Sequence, residues 1–217
     1  MTELIFLISG MPRVSPKSCA FWQHLIDRYN PSVYVHTWHD NNDNEIQTML
    51  DVLKPVKAQI DKPANIDISQ YDVNNYFGIN IYNCLSSWTS INRVYALMEQ
   101  HTASLNQIPN TVLRSRFDIE IDNFYMMPCY GLVLPMNIFK EPQCVMHNGQ
   151  FLVSQQDVIA YGPAELIKKY ANTINVVDQI WRDASWPFAS EIILAASLHL
   201  QQVPIYNQTV NYRLVRQ

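Results

Sequence analysis

The stretch Leu4-Ile5-Phe6-Leu7-Ile8-Ser9-Gly10 decides the fold class. A continuous apolar run is what a strand covered on both faces requires, and such strands belong to parallel sheets. Working outward, strand-like and helix-like segments alternate. After Pro12 and Pro16, residues 17–29 carry Cys19, Trp22, Leu25 and Ile26 at helical spacing. Val33 to Val35 reads as a second strand, 45–54 as a helix stopping before Pro55, and Ile66 to Ser69 as a third strand. Residues 79–101 form the strongest helix, with Ile81, Cys84, Leu85, Trp88, Ile91, Tyr95 and Met98 recurring at three and four residues. Strands are expected over 111–121, 132–134 and 151–153. Helices are expected over 163–171, opened by Pro163, and over 188–201, with a last strand after Val203-Pro204. The succession predicts an α/β fold with a mixed, largely parallel sheet flanked by helices. No Pro/Gly/Ser linker interrupts residues 1–217, so one domain is expected.

Composition bounds the function. The chain has 217 residues, 48% hydrophobic, with a formal net charge of −4. That balance argues against a bulk electrostatic partnership with nucleic acid or an anionic membrane. No apolar run reaches the roughly 18 residues of a membrane span. Residues 1–10 carry Glu3 and no basic lead, unlike a secretory signal. Cys19, Cys84, Cys129 and Cys144 are scattered without a CxxC pair, which suits reduced thiols and a cytoplasmic setting.

The richest chemistry lies in Val112-Leu113-Arg114-Ser115-Arg116-Phe117-Asp118-Ile119-Glu120-Ile121-Asp122. Read as one strand, its even positions align Arg114, Arg116, Asp118, Glu120 and Asp122 on one face. Carboxylates two residues apart can converge on a hard divalent cation, and the neighbouring arginines can fork onto a phosphate. The alternative is a solvated strand face on which Arg116 and Asp118 pair with each other. Gly10 and Arg13 follow the first strand, where backbone and cation can meet an anion. Thr37 and Trp38 close the second strand, at the sheet end where α/β ligands gather. Asp157 and Glu191 are carboxylates able to act as a general base, or simply to cap and solvate.

Several segments resemble one group of glycosyltransferases: Ile8-Ser9-Gly10-Met11-Pro12-Arg13, His36-Thr37-Trp38, Arg114-Ser115-Arg116-Phe117-Asp118, Asp157 through Glu165, Glu191 with Leu198-His199-Leu200, and Tyr212 through Arg216. They are similar to GT-A-type enzymes that build capsule and surface polysaccharides, and to their relatives in large algal viruses that glycosylate the capsid protein. The compact length looks most like the viral branch, which would place the chain in host cytoplasm. The resemblance implies a single GT-A-like domain, a nucleotide-sugar donor, most often a UDP-sugar, and a glycan or glycoprotein acceptor. It also implies a Mn²⁺ or Mg²⁺ ion held by Asp118 and Glu120, in place of the usual Asp-x-Asp. Gly10, Pro12, Arg13, Thr37, Trp38, Arg114, Arg116 and Asp118 would bind the donor. Asp157, or Glu191 after it, would be the base of an inverting reaction. Two competitors stand beside this reading. Ser9 to Arg13 followed by Lys17-Ser18 faintly resembles a sulfotransferase phosphosulfate loop, and a non-catalytic nucleotide- or sugar-binding module would keep the same fold.

Overall fold

The computed structural model describes residues 4–71, 80–137, 144–147, 149–183 and 188–214. Ile79, Val215 and Arg216, which the sequence reading included, lie outside them. The first half is a run of parallel units: β1 (Leu4–Gly10), α1 (Pro16–Tyr29), β2 (Ser32–Trp38), α2 (Asp43–Leu53), β3 (Lys57–Asp61), α3 (Ile81–Ser104) and β4 (Thr111–Ser115). The second half holds β5 (Ile119–Asp122), β6 (Leu132–Asn137), β7 (Cys144–His147), β8 (Gln150–Val153) and β9 (Ile159–Pro163). After these come α4 (Ala164–Ala171), α5 (Thr173–Asp178), a π-helical turn (Gln179–Asp183), α6 (Ser190–Leu200) and β10 (Ile205–Leu214).

Eight strands form one sheet in the order β3-β2-β1-β4-β9-β6-β10-β5, with β7 and β8 apart as a two-stranded ribbon. The pairings β3/β2, β2/β1, β1/β4 and β6/β10 are parallel. The β4/β9, β9/β6 and β10/β5 pairings are antiparallel. The expected α/β fold with a mixed sheet flanked by helices is therefore what forms.

Strand β1 shows why its sequence had no alternation. Phe6 and Ile8 join a core with Trp22, Leu25 and Met49 beneath α1 and α2. Ile5 and Leu7 join Trp88, Ile91, Ile167 and Leu198 beneath α3, α4 and α6. Helix α1 starts on a capping box, with Ser15 and Ser18 satisfying each other's backbone amides, and Pro16 in the first turn. Gly162 sits where a Cβ would meet the Gly131 carbonyl oxygen at 2.7 Å, so β9 and the start of β6 approach closely only because it is glycine.

Two expectations need correction, and one strand was not expected. Residues 111–121 are not one strand: β4 ends at Ser115, Arg116 to Asp118 turn, and β5 pairs instead with β10. Residues 66–69 are not a strand, and the third strand is β3, an exposed edge whose Lys57-Ala58-Gln59-Ile60-Asp61 lacks an apolar run. Strand β9 lies in a stretch to which the sequence reading assigned no element, yet it fills the middle of the sheet.

Candidate active site

Strand order fixes where a ligand can enter. From β1 the chain moves to β2 and β3 on one side, then returns to β4 on the other, so the sheet has a switch point between β1 and β4. Ligands of open α/β sheets sit outside the carboxyl ends of strands at such a point. A cavity of about 220 Å³ lies there, lined by Ser9, Gly10, Met11, Arg13, Trp38, Asn83, Ser86, Ser87 and Arg116. Gly10 has φ 112°, a left-handed backbone that favours glycine, and this lets β1 end in a sharp turn at the cavity floor.

The candidate residues distribute around this cavity as follows. Gly10, Arg13, Trp38 and Arg116 line it. Thr37 is fully buried and its hydroxyl donates to the Gly10 carbonyl at 2.8 Å, so it supports the floor. Pro12 is buried in the loop and is not a lining residue. Trp38 packs edge-on against His36 at 4.6 Å, with the Arg93 guanidinium 5.1 Å from its ring. His36 in turn bridges Ser90 at 2.7 Å and Asp61 at 3.1 Å, and Asp61 also pairs with Arg93.

Arg114 lies beneath the floor, 1% exposed. It donates to the Asp157 carbonyl, to the Tyr170 hydroxyl at 3.0 Å and to the Ser9 hydroxyl at 3.4 Å. Its Nε has no partner, and among the described residues it makes no ion pair. The buried guanidinium thus leaves positive charge close under the cavity.

Arg116 and Asp118 form a forked pair at 2.8 and 2.6 Å, in a turn rather than on the solvated strand face of the alternative reading, with Arg13 3.7 Å from the same fully buried carboxylate. Burial works against the charge on Arg116. The Asp118 bonds and the Asp118 and Asp157 charges outweigh it and raise its pKa. Glu120 faces the other way. Its oxygens accept from Ser15 at 2.8 Å and from Arg213 at 2.5 Å, beside α1. Asp122 accepts from Asn211 at 3.0 Å. The turn at 116–118 therefore dissolves the expected row of five charges, which required an unbroken strand. Among the described residues, no three His, Cys, Asp or Glu side chains gather as a metal cluster. Asp118 is fully buried behind Arg13 and Arg116 and does not itself line the cavity, so a hard cation would reach it only if the Arg116 fork opened.

Asp157 follows β8 and holds the Ser190 hydroxyl at 2.5 Å, and Ser190 opens α6 just before Glu191. Both carboxylates stand near Cys84, whose thiol is pushed up to about 12, first by burial and then by the Asp157 and Glu191 charges. Both also act on Tyr212, where burial and then these charges raise the phenol pKa. Asn83, Ser86 and Ser87 were missed. Their only sequence signal was small polar residues at i, i+3 and i+4, opposite the apolar stripe of α3.

No protein family and no curated protein matches the sequence. Solved structures do match in fold. Core-mannan synthase A from Aspergillus fumigatus, in a Mn/GDP form, superposes over 99% of this chain and 75% of its own, with TM-score 0.53 and 9% identity. A nucleoside-diphosphate-sugar pyrophosphorylase from Vibrio cholerae RC9 does so over 97% and 94%, with TM-score 0.51 and 9% identity. At these identities the likeness is one of fold: this chain's mixed sheet flanked by helices is shared with a mannan synthase and a nucleotide-sugar pyrophosphorylase.

Proposed function

We propose that the chain is a glycosyltransferase that takes a sugar from a nucleotide-diphosphate sugar, with a UDP-sugar the expected donor, and places it on a glycan or glycoprotein hydroxyl. The observation that carries this reading is the convergence of Arg13 and Arg116, from two different strand ends, on a cavity with buried Arg114 beneath it. Guanidiniums fork onto phosphate oxygens, and the departing diphosphate gains negative charge as the sugar bond breaks. Arg13 and Arg116 are placed to receive that charge. Trp38, Asn83, Ser86 and Ser87 line the cavity wall, where the three polar side chains can contact base or sugar.

A Mn²⁺ or Mg²⁺ ion held by Asp118 would have to displace the Arg116 fork and share the substrate phosphates, as such ions are often held by one or two carboxylates plus phosphates. Bound there, the ion would supply further charge stabilisation to the diphosphate. Both expected ligands are committed, Glu120 to Ser15 and Arg213 and Asp118 to Arg116, and Asp118 is the one beside the guanidiniums that line the cavity. Asp157 is proposed as the base that takes the acceptor proton, with Ser190 fixing its carboxylate and Glu191 as second candidate. The capsid-glycosylating role and host cytoplasm stay with the viral resemblance alone.

The test is calorimetric titration with UDP and GDP, with Mn²⁺ and with EDTA. Heat with UDP that needs Mn²⁺ supports the full reading. GDP preferred over UDP changes the donor. Equal affinity in EDTA removes the metal, and no binding of either nucleotide removes the donor site. Slow donor hydrolysis separates an enzyme from a binding module.

A further inference from the structure

We propose that the groove between α1 and the β5/β10 pair binds an anionic oligosaccharide. The groove holds about 990 Å³, at the upper end of ligand-sized cavities, and it is separate from the smaller cavity at the switch point. Arg13, in the β1–α1 loop, lines the cavity, and Lys17, in the first turn of α1, lines the groove.

Charge argues for an anion. Lys17, His24 and Arg28 lie on one exposed face of α1, seven and then four residues apart, so they fall nearly in line. From Lys17 to Arg28 the helix rises about 16 Å, with His24 about 10 Å along the way. That row suits a chain carrying acidic groups at intervals better than one compact ion. The groove's own anions are already engaged: Glu120 by Arg213 and Ser15, Asp122 by Asn211. Lys17 and Arg28 make no ion pair among the described residues. Lys17 also stands in the first turn of α1, where the helix dipole disfavours a cation. Helix stability therefore does not account for it, and within the groove its charge reaches Glu120, which Arg213 and Ser15 already hold.

The rest of the lining argues for a saccharide. Phe21 and Phe124 pack edge to face at 6.1 Å to make a firm floor, and the Tyr125 ring beside them is 51% exposed. An exposed aromatic face with amides nearby, here Asn123 and Asn211, can stack on a sugar ring and bond its hydroxyls. A nucleic acid is the poorer fit, because the chain is acidic and the groove carries two carboxylates. The inference rests on the proposed transferase reading only for the purpose of the bound chain, which would be the acceptor.

The test uses a short oligogalacturonide, neutral maltohexaose and a single-stranded DNA oligonucleotide, titrated into the wild-type chain, Lys17→Glu with Arg28→Glu, and Tyr125→Ala. The oligogalacturonide should bind at least tenfold tighter than maltohexaose and the DNA. The double charge reversal should weaken it tenfold or more, and Tyr125→Ala should weaken it severalfold. UDP affinity should stay within twofold throughout. Unchanged binding by the charge-reversed protein, equal binding of the neutral sugar or DNA, or no binding of the oligogalacturonide would overturn the proposal. UDP failing while the oligogalacturonide binds would instead remove the transferase reading and leave the groove standing.

Discussion

Asp118 and Glu120 are two residues apart, yet they belong to different worlds. The first is wholly buried between two guanidiniums at the small cavity, and the second faces a broad groove beside α1. The cavity is built from strand ends locked by buried polar contacts, whereas the groove is a helix face lined by exposed charges. Rigid, desolvated charge suits recognition of a fixed group such as a diphosphate. Loose, solvated charge suits a longer chain that meets many weak contacts. The two regions share one beam, the indole of Trp22, whose N–H donates to the Phe117 carbonyl at 3.0 Å and ties α1 to the turn carrying Asp118.

Trp22→Ala should therefore give the largest effect and damage both regions. It removes a fully buried ring from the core under α1, at a cost of about 3–5 kcal/mol in urea denaturation. A loss under 1 kcal/mol would show that α1 and the turn are held independently.

Next comes Arg116→Ala, which leaves the Asp118 carboxylate buried with only Arg13 nearby. Breaking such a pair costs about 3 kcal/mol. Arg116→Ala with Asp118→Ala should recover part of that loss, because no charge is then stranded. A double variant no better than the single would refute the pairing.

The pH response should also divide the regions. Burial lowers the His36 pKa, with Asp61 opposing, so the folded chain keeps this ring neutral longer than the unfolded chain does. Unfolded histidine takes a proton near pH 6.5. The contribution is thus complete above about pH 6.5 and is lost as pH falls below it, at no more than about 1.4 kcal/mol per pH unit. Burial opposes the shift of Asp61, but its bonds to His36, Gln59 and Arg93 win and lower its pKa, which adds a loss of the same sign at lower pH. His36→Gln should flatten the fall in melting temperature between pH 7 and pH 5. An unchanged slope would mean that the network behind Trp38 does not titrate.

Smallest should be Arg213→Ala. Its pair with Glu120 is solvated, Arg213 being 65% exposed, so stability should change by less than about 1 kcal/mol. An effect matching Arg116→Ala would erase the contrast between cavity and groove.

These contrasts also show what was legible in the sequence. The parallel half was readable because β1 is covered on both faces and writes that burial as an unbroken apolar run. The α3 stripe was equally clear. Strand β3 was not, since an edge strand with one neighbour carries no such pattern. Of the cavity, the α3 wall of Asn83, Ser86 and Ser87 was not legible; Gly10, Arg13, Trp38 and Arg116 were, because they lie at or just after strand ends. Their partners were not, because alternation through Arg114 to Asp122 assumes a straight strand. The chain turns at 116–118 to send β5 to β10, a contact 90 residues or so away that no local pattern encodes. The groove went unread for the same reason.

The most direct measurement of the central claim is UDP titration, in Mn²⁺, into the wild-type chain, Arg13→Ala and Lys17→Glu. Arg13 lines the cavity and is 43% exposed, so its removal should cost little stability. Losing a charge-assisted contact of about 1.5 kcal/mol or more should weaken UDP about tenfold in Arg13→Ala. Lys17→Glu, in the first turn of α1 on the groove side, should stay within twofold. Equal affinity for all three proteins, or a loss confined to Lys17→Glu, would contradict the assignment of the small cavity as the nucleotide site.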